Sequence, residues 1–283
     1  MLYHLLGQPE LIRPLMIVAF DAWVDAGSAA TAAAELLAEG GETIAEIETD
    51  GLFDYRSRRP TLHIDDGRLV AADWPDLEVA HRRFADRDAL ILAGPEPDYR
   101  WRELAADLVS LAGELGVAHW LTLGSIPAAV PHTRPVTVLG LESEEGLLRG
   151  GVEPGPVGTM QVPSAAVSAI DLAVSRAGIP TLGYFAQVPH YVNGDYPAAA
   201  VALVRAVEPH LGDAVPTAML ELQAKTMTAK LDTAAAADDS TTSYVERLEE
   251  MSDEARLPSG EELIGEIERL LREENPGDGD LPR

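Results

Sequence analysis

The sequence predicts an α/β fold, with a mostly parallel sheet flanked by helices and an all-helical C-terminal appendage. Apolar runs of strand length end in glycine or aspartate, helix-forming segments lie between them, and the last quarter of the chain has no strand pattern. Alternating strands and helices are typical of a parallel sheet covered on both faces. We therefore expect a sheet domain over residues 1–208, an acidic helical subdomain over 209–274 and a flexible tail over 275–283.

The first strand, loop and helix organise the sheet domain. Leu15–Phe20 is a continuous apolar run, which is typical of a parallel strand buried on both faces. The loop Asp21–Gly27 contains two acids, a tryptophan and a glycine, and Ser28–Leu37 is a helix former with Ser28 placed to cap it. Because ligands of α/β sheets bind outside the carboxyl ends of the strands, this loop is the first place to expect a site.

The remaining elements follow from similar patterns. The segment Leu2–Leu6 is expected to be either an edge strand or a packing tail. A hairpin is expected over Thr61–Val70, turning at Asp65–Gly67. Further strands are expected at 42–47, 89–94, 117–123, 136–139 and 181–188. Further helices are expected at 101–115, 164–177, 198–207, 216–231 and 241–251, with a last one beginning at Ser259.

Composition restricts the partners and the chemistry. The formal net charge is −26, the opposite of the basic surface that nucleic acid or an anionic membrane requires, so we expect neither as a partner. The chain contains no cysteine, which excludes disulfides, thiolate metal sites and cysteine nucleophiles and fits a reducing compartment. With no leader pattern and no membrane-spanning run, we expect a soluble cytoplasmic protein.

Candidate site residues follow the predicted strand ends. They form a candidate pocket made of Asp21, Trp23, Asp25, Gly27, Ser28, Gly124, Ser125, His132 and Arg134. Tyr191 and Asp195 follow the last predicted strand and extend this set. No metal site or cofactor is expected, because the acids near His63 are explained by a hairpin turn.

Each candidate has a structural alternative. Asp21 and Asp25 have the chemistry of a general base or cation ligand, but acids at a helix start also bind the free amides of that helix. His132 and Arg134 suit an anion such as phosphate, or else belong to a loop held rigid by its prolines. The cluster at Arg56–Arg59 is either an anion clamp or a set of surface ion pairs.

Two candidates have weaker chemical signals. Ser125 follows a predicted strand, but its surroundings are not a nucleophile elbow and no acid and histidine are placed to complete a triad. Trp23 suits stacking on a ligand, although burial against the sheet is the simpler expectation.

Three segments together resemble the proteasome assembly chaperone 2 family, and more narrowly its actinobacterial branch with a helical C-terminal extension. They are FDAWVDAGSAATAAAELL from Phe20, LGSIPAAVPHTRPVTVLG from Leu123, and the stretch from Gly155 to Val207. The resemblance implies a phosphorylase/hydrolase-like α/β architecture, assembly into trimers and, in eukaryotic relatives, pairing of proteasome α-subunits. Relatives that dock on the proteasome use a C-terminal hydrophobic-Tyr-any tripeptide, which Leu281–Arg283 does not match.

Two functional hypotheses follow. The first is a non-catalytic protein-binding or assembly module that forms a homo-oligomer, a trimer by resemblance, and holds a protein client or a proteasome-related partner. The second is a small-molecule-binding protein or a hydrolase/phosphorylase-like enzyme with its pocket at the carboxyl ends of the strands, a hypothesis that rests on fold analogy alone. The first is preferred because no catalytic motif stands out.

Overall fold

A computed structural model describes residues 1–7, 9–85 and 87–255. Three expectations, namely the helix beginning at Ser259, the tail at 275–283 and the tripeptide Leu281–Arg283, lie outside the described residues. Within the described part of the chain, no helix is long and apolar enough to cross a bilayer.

The strands and helices alternate through most of the chain. The strands are β1 (Tyr3–Leu5), β2 (Leu15–Phe20), β3 (Glu42–Ile47), β4 (Thr61–Asp65), β5 (Arg68–Asp73), β6 (Glu78–Arg83), β7 (Asp88–Gly94), β8 (His119–Ala128), β9 (Val138–Glu142), β10 (Glu153–Pro154) and β11 (Thr181–Pro189). The helices are α1 (Ala29–Ala38), α2 (Trp101–Glu114), α3 (Ala166–Arg176), α4 (Pro197–Leu211), α5 (Ala218–Ala236) and α6 (Asp239–Ala255).

One nine-stranded sheet forms the centre of the molecule, in the order β1-β3-β6-β7-β2-β8-β11-β9-β10. The four central strands β7, β2, β8 and β11 run parallel, with Leu15 paired to Ala89 on one side and to His119 on the other. Strands β1, β3 and β6 on one flank, and β9 on the other, add antiparallel pairs. This arrangement confirms the predicted α/β fold with a parallel centre.

Helices cover both faces of the sheet. Along β2, Met16, Val18 and Phe20 belong to the apolar core under α2 and α3. Leu15, Ile17 and Ala19 belong to the core under α1 and α4. All six residues of β2 are buried, as predicted for a strand covered on both faces.

The parallel central strands all begin on one side of the sheet and end on the opposite side. We call the side after Phe20, Gly94, Ala128 and Pro189 the carboxyl edge, and the opposite side, where the same strands begin, the amino edge. The loop Asp21–Gly27 lies at the carboxyl edge, as expected.

The structure corrects the expected end of β8. This strand does not stop at Leu123 but continues through Gly124 and Ser125 to Ala128. The physical reason is its neighbour β11, which pairs with β8 residue by residue up to Pro189 beside Ala128. Gly124 and Ser125 are therefore sheet residues, not members of a loop.

The C-terminal helices α5 and α6 fold back onto the sheet domain. Helix α4 continues through Pro209 to Leu211, past its expected end, and packs against α5, which in turn packs against α6. The Arg205 guanidinium of α4 hydrogen-bonds to Thr217 at 2.6 Å and to Glu221 at 3.0 Å, linking α4 to the start of α5.

Candidate functional site

Asp21 is held by an arginine from the predicted basic cluster. The Arg58 guanidinium donates two hydrogen bonds to the Asp21 carboxylate, at 2.6 and 2.9 Å, and the Glu96 backbone amide donates a third at 2.8 Å. A bidentate arginine–carboxylate pair fixes both side chains. Arg58 therefore makes an ion pair within the chain, and Asp21 anchors the loop before β4.

Asp25 binds the start of helix α1. Its Oδ1 accepts a hydrogen bond from the Ala30 amide at 2.7 Å, and its Oδ2 accepts one from the Thr31 hydroxyl at 2.5 Å. The predicted capping role of Ser28 is wrong, because Ser28 has a left-handed backbone with φ of 49° and its side chain makes no capping hydrogen bond. The buried Asp25 carboxylate, three residues upstream, satisfies these donors instead.

Ser125 is brought next to Asp25. Its hydroxyl donates to the Ala26 carbonyl at 2.8 Å and lies 3.4 Å from Asp25 Oδ1, and the two backbones form an isolated parallel bridge. Ser125 is fully buried. The pair joins the loop after β2 to β8 and leaves the Ser125 hydroxyl turned into the protein rather than toward a ligand.

Two glycines of the candidate pocket are required by packing. Gly27 has φ of +67°, and a Cβ placed there would lie 2.7 Å from the Tyr196 Cβ. A Cβ at Gly124 would lie 2.5 Å from the Phe185 ring. Both distances are shorter than non-bonded carbon atoms tolerate, so these positions accept no side chain without movement of their neighbours.

His132 is buried and joins the sheet domain to α5. Its Nδ1 lies 2.7 Å from the Tyr191 hydroxyl, which also accepts the His132 amide at 2.8 Å. Its Nε2 lies 3.2 Å from a carboxylate oxygen of Asp232 on α5. Burial raises the pKa of the Tyr191 hydroxyl above its usual value, so it remains protonated as a hydrogen-bonding partner at neutral pH.

Arg134 pairs with α6. Its guanidinium donates to both carboxylate oxygens of Asp253 at 2.8 Å and lies 3.4 Å from Glu249. The hydrogen bond to Asp253 raises the pKa of Arg134 further above its usual value. The Thr133 hydroxyl also hydrogen-bonds to Glu249. Residues 132–134 are therefore a docking loop for the C-terminal helices, and their side chains are engaged by acids of the same chain.

Trp23 is not buried against the sheet, which was the simpler of its two expected roles. Its side chain is 58% exposed at the carboxyl edge rather than buried against the sheet. Among the described residues, no aromatic ring or guanidinium group stacks on the Trp23 indole.

The nine candidates thus separate into groups instead of converging on one pocket. Asp25 and Ser125 form one buried cluster, Asp21 pairs away from them with Arg58, and His132 and Arg134 lie under α5 and α6. Gly27 and Ser28 line a groove of about 570 Å³ between α1, α4 and α5, together with Asp195. Within the described ranges, no group of three acids or histidines is placed to hold a metal ion.

An exposed apolar face on the β4–β5 hairpin was missed by the sequence reasoning. Every residue of both strands is exposed. Cross-strand pairing joins Leu62 to Ala72 and Ile64 to Leu69, and residues directly opposite each other share a face. The alternation of Leu62 and Ile64 along β4 is the signal that was available, because a hairpin with one apolar face needs something to cover that face.

The chain belongs to the PAC2 family, whose model it matches over residues 19–235. This match confirms the resemblance drawn from the sequence segments. The comparison with curated proteins returned no match.

Several solved structures are similar to this chain. A Corynebacterium glutamicum protein of unknown function is 30% identical with a TM-score of 0.81, and the match covers 89% of this chain and 97% of that one. A Mycobacterium tuberculosis proteasome-assembly chaperone homologue is 33% identical with a TM-score of 0.74, covering 82% and 99% of the two chains. PbaB, a Pyrococcus furiosus proteasome activator, is 18% identical with a TM-score of 0.66, covering 82% and 97%, which shows the fold alone.

Proposed function

We propose that this PAC2 family protein is a non-catalytic assembly module that works by binding other protein chains. The observation that carries the proposal is the exposed apolar face of the β4–β5 hairpin. Leu62, Ile64 and Leu69 on this face are 54%, 63% and 71% exposed. An isolated two-stranded hairpin is marginally stable in water, so a second protein surface that covers these side chains stabilises it.

The opposite face of the hairpin is polar. His63 and Asp73 lie on that face, and the His63 Nε2 is 2.6 Å from an Asp73 carboxylate oxygen. The hairpin is therefore amphipathic, with one polar face suited to water and one apolar face suited to a partner. Trp74, which follows β5, is 56% exposed and packs edge-to-face on Tyr55 at 4.9 Å between ring centroids, extending the apolar surface toward the sheet domain.

The carboxyl edge argues for binding rather than catalysis. The side chains of three candidates are hydrogen-bonded within the chain: Asp21 to Arg58, Asp25 to helix α1 and His132 to Asp232. A general base needs hydrogen-bond reach to a substrate, and a nucleophilic serine needs an adjacent base and an open approach. Ser125 lacks the open approach, because it is fully buried, and its hydroxyl donates to the Ala26 backbone carbonyl.

We propose two kinds of partner. Further copies of the chain cover the hairpin in a homo-oligomer, a trimer by family resemblance, and the assembled particle binds a proteasome-related protein in the cytoplasm. The proteasome-related partner is supported by the Mycobacterium tuberculosis relative, which is described as a proteasome-assembly chaperone homologue. The absence of cysteine is in keeping with a reducing compartment.

The test places two lysines on either face of the hairpin. The double variant Ile64→Lys/Leu69→Lys charges the apolar face, and the control Thr61→Lys/Ala71→Lys adds the same charge to the polar face. Light scattering measures the mass of each purified protein against the 30.2 kDa of one chain. Tagged full-length proteins then capture partners from a proteasome-containing bacterial lysate.

We expect the wild type and the control to be oligomeric and to retain proteasome subunits or one defined client. The apolar-face variant should be monomeric and lose that partner, because charged side chains on this face oppose its burial. A wild-type protein that stays monomeric at micromolar concentration and captures no such partner contradicts the proposal.

A small-molecule-binding function is the second candidate, favoured by the groove between α1, α4 and α5. Its volume of about 570 Å³ lies within the range of about 300–1,000 Å³ typical of ligand sites, and Glu35, Asp195 and Lys230 supply polar groups. A library compound that raises the melting temperature of the wild type, and fails to do so in Thr226→Trp, supports this function. Equal shifts in both proteins place the compound elsewhere.

A further inference from the structure

A basic pocket lies at the amino edge of the sheet, opposite the loop Asp21–Gly27. Its polar lining consists of Arg13, Arg87, His119, Arg149 and His210, and its volume is about 150 Å³. Parallel strands bring the first three together, because Arg13 lies just before β2, Arg87 just before β7, and His119 begins β8. The loop after β9 and the last turn of α4 supply the other two.

The composition of this pocket is unusual for the chain. Acidic residues outnumber Lys and Arg by 47 to 21 in the full sequence, yet none of the acids within residues 1–7, 9–85 and 87–255 lines the pocket. Arg87 is 5% exposed and its guanidinium lies 3.4 Å from His119 Nδ1, at the base of the pocket. Concentrated positive charge in a partly enclosed recess attracts an anion, since the low local dielectric strengthens the field.

The positive charge of the arginines contributes to lowered pKa values of His119 and His210. Burial is the main cause that lowers the pKa of His210 to about 4, and the nearby guanidinium groups of Arg149 and Arg87 contribute to the same shift. Burial also lowers the pKa of His119, with Arg87 and Arg13 adding to the effect, while Glu144 acts in the opposite direction. His210 Nε2 and the Tyr184 hydroxyl form a hydrogen bond at 2.6 Å, which fixes the imidazole ring at the pocket.

Two of the arginines are available to a ligand. Arg13 and Arg149 are exposed, and within residues 1–7, 9–85 and 87–255 neither guanidinium has a hydrogen bond or ion pair. Arg13 also has φ of 45°, a left-handed conformation that non-glycine residues rarely adopt and that is found at functional sites. The Arg149 backbone is positioned by its amide, which donates to the Tyr184 hydroxyl at 3.1 Å.

We propose that the amino-edge pocket binds a phosphate group, either as inorganic phosphate or as the phosphoryl end of a small phosphorylated molecule. Guanidinium forks match the geometry of phosphate oxygens and bind them bidentately. The volume of about 150 Å³ is below that of sites enclosing a whole drug-sized ligand, so the pocket takes a compact anionic group. This site is independent of the hairpin, and either proposal can fail without the other.

The test titrates the full chain with sodium phosphate by isothermal calorimetry at low ionic strength, with sodium chloride as the ionic-strength control. Arg13→Gln and Arg149→Gln remove the two available guanidinium groups at exposed positions. Arg102→Gln, an exposed arginine on α2, is the control with the same change of charge. Circular dichroism establishes that each variant is folded before titration.

We expect phosphate to bind the wild type and the Arg102 variant equally, and each pocket variant to bind about tenfold or more weakly, because each loses a charge-assisted hydrogen bond. Tighter binding of a phosphate monoester than of inorganic phosphate assigns the site to a phosphorylated molecule, and the reverse order assigns it to free phosphate. Absence of binding to the wild type at millimolar concentration overturns the proposal. Equal weakening in all three variants also overturns it, since it reflects overall charge alone.

Discussion

Substitution of Asp25 tests whether its carboxylate stabilises the start of helix α1 or serves in catalysis. The Asp25→Ala substitution removes the acceptor of the Ala30 amide at 2.7 Å and of the Thr31 hydroxyl at 2.5 Å. Loss of a helix cap costs about 0.5–2 kcal/mol, and each buried donor left without a partner costs about 1–3 kcal/mol. Because these two effects overlap, we expect the free energy of unfolding to fall by about 2–4 kcal/mol.

Such a loss is large enough to measure by thermal unfolding. For a chain of this size each kcal/mol shifts the melting temperature by about 2–4 °C, so Asp25→Ala should melt roughly 4–16 °C lower than the wild type. Asp25→Asn keeps an acceptor oxygen and should lose less. Glu35→Ala, on the exposed side of the same helix, is the control and should stay within about 0.5 kcal/mol of the wild type. An Asp25→Ala protein with an unchanged melting temperature refutes the assignment of this carboxylate to the helix start.

The remaining predictions concern α3 and α6. Burial raises the pKa of Asp171 to about 7, while its carboxylate accepts hydrogen bonds from Trp120 and Thr122 at 2.9 and 2.6 Å. Its folded-state pKa lies above the unfolded value of 3.8, so the wild type should lose stability relative to Asp171→Asn as pH rises from about 4 to 7, by at most about 4 kcal/mol in urea unfolding. A difference independent of pH contradicts that assignment. Arg134→Ala should speed amide hydrogen exchange within α6 several-fold, because it removes the pairing to Asp253 and Glu249, whereas Arg102→Ala should not.

The sequence was sufficient for the elements whose local pattern agrees with their tertiary setting. The apolar run Leu15–Phe20 specifies a strand buried on both faces, and the turn at Asp65–Gly67 specifies the hairpin. By contrast, β6 was missed because Glu78–Arg83 is mostly charged or half-buried, and its antiparallel pairing with β3 and β7 makes it a strand. The extension of β8 was missed because glycine and proline mark breaks locally, whereas β11 supplies a continuous partner.

Local sequence patterns predict the contacts of the candidate site less well than they predict the strands and helices. Local capping rules point to Ser28, but the cap comes from Asp25 through a left-handed turn. The acidic partner of His132 is Asp232, 100 positions away in sequence, and no local pattern indicates that contact. The basic pocket draws on residues as far apart as Arg13 and His210, which become neighbours once the parallel strands begin at one edge.

The most direct test of the central claim is hydrogen exchange at the β4–β5 hairpin, residues 61–73. In the assembled full-length protein we expect these amides to exchange slowly, and to exchange fast both on dilution to the monomer and in Ile64→Lys/Leu69→Lys. A covered hairpin is protected by its partner, whereas an uncovered two-stranded hairpin opens readily. Fast exchange at every protein concentration, with and without the captured partner, would contradict the account of this protein as an assembly module that binds through its hairpin.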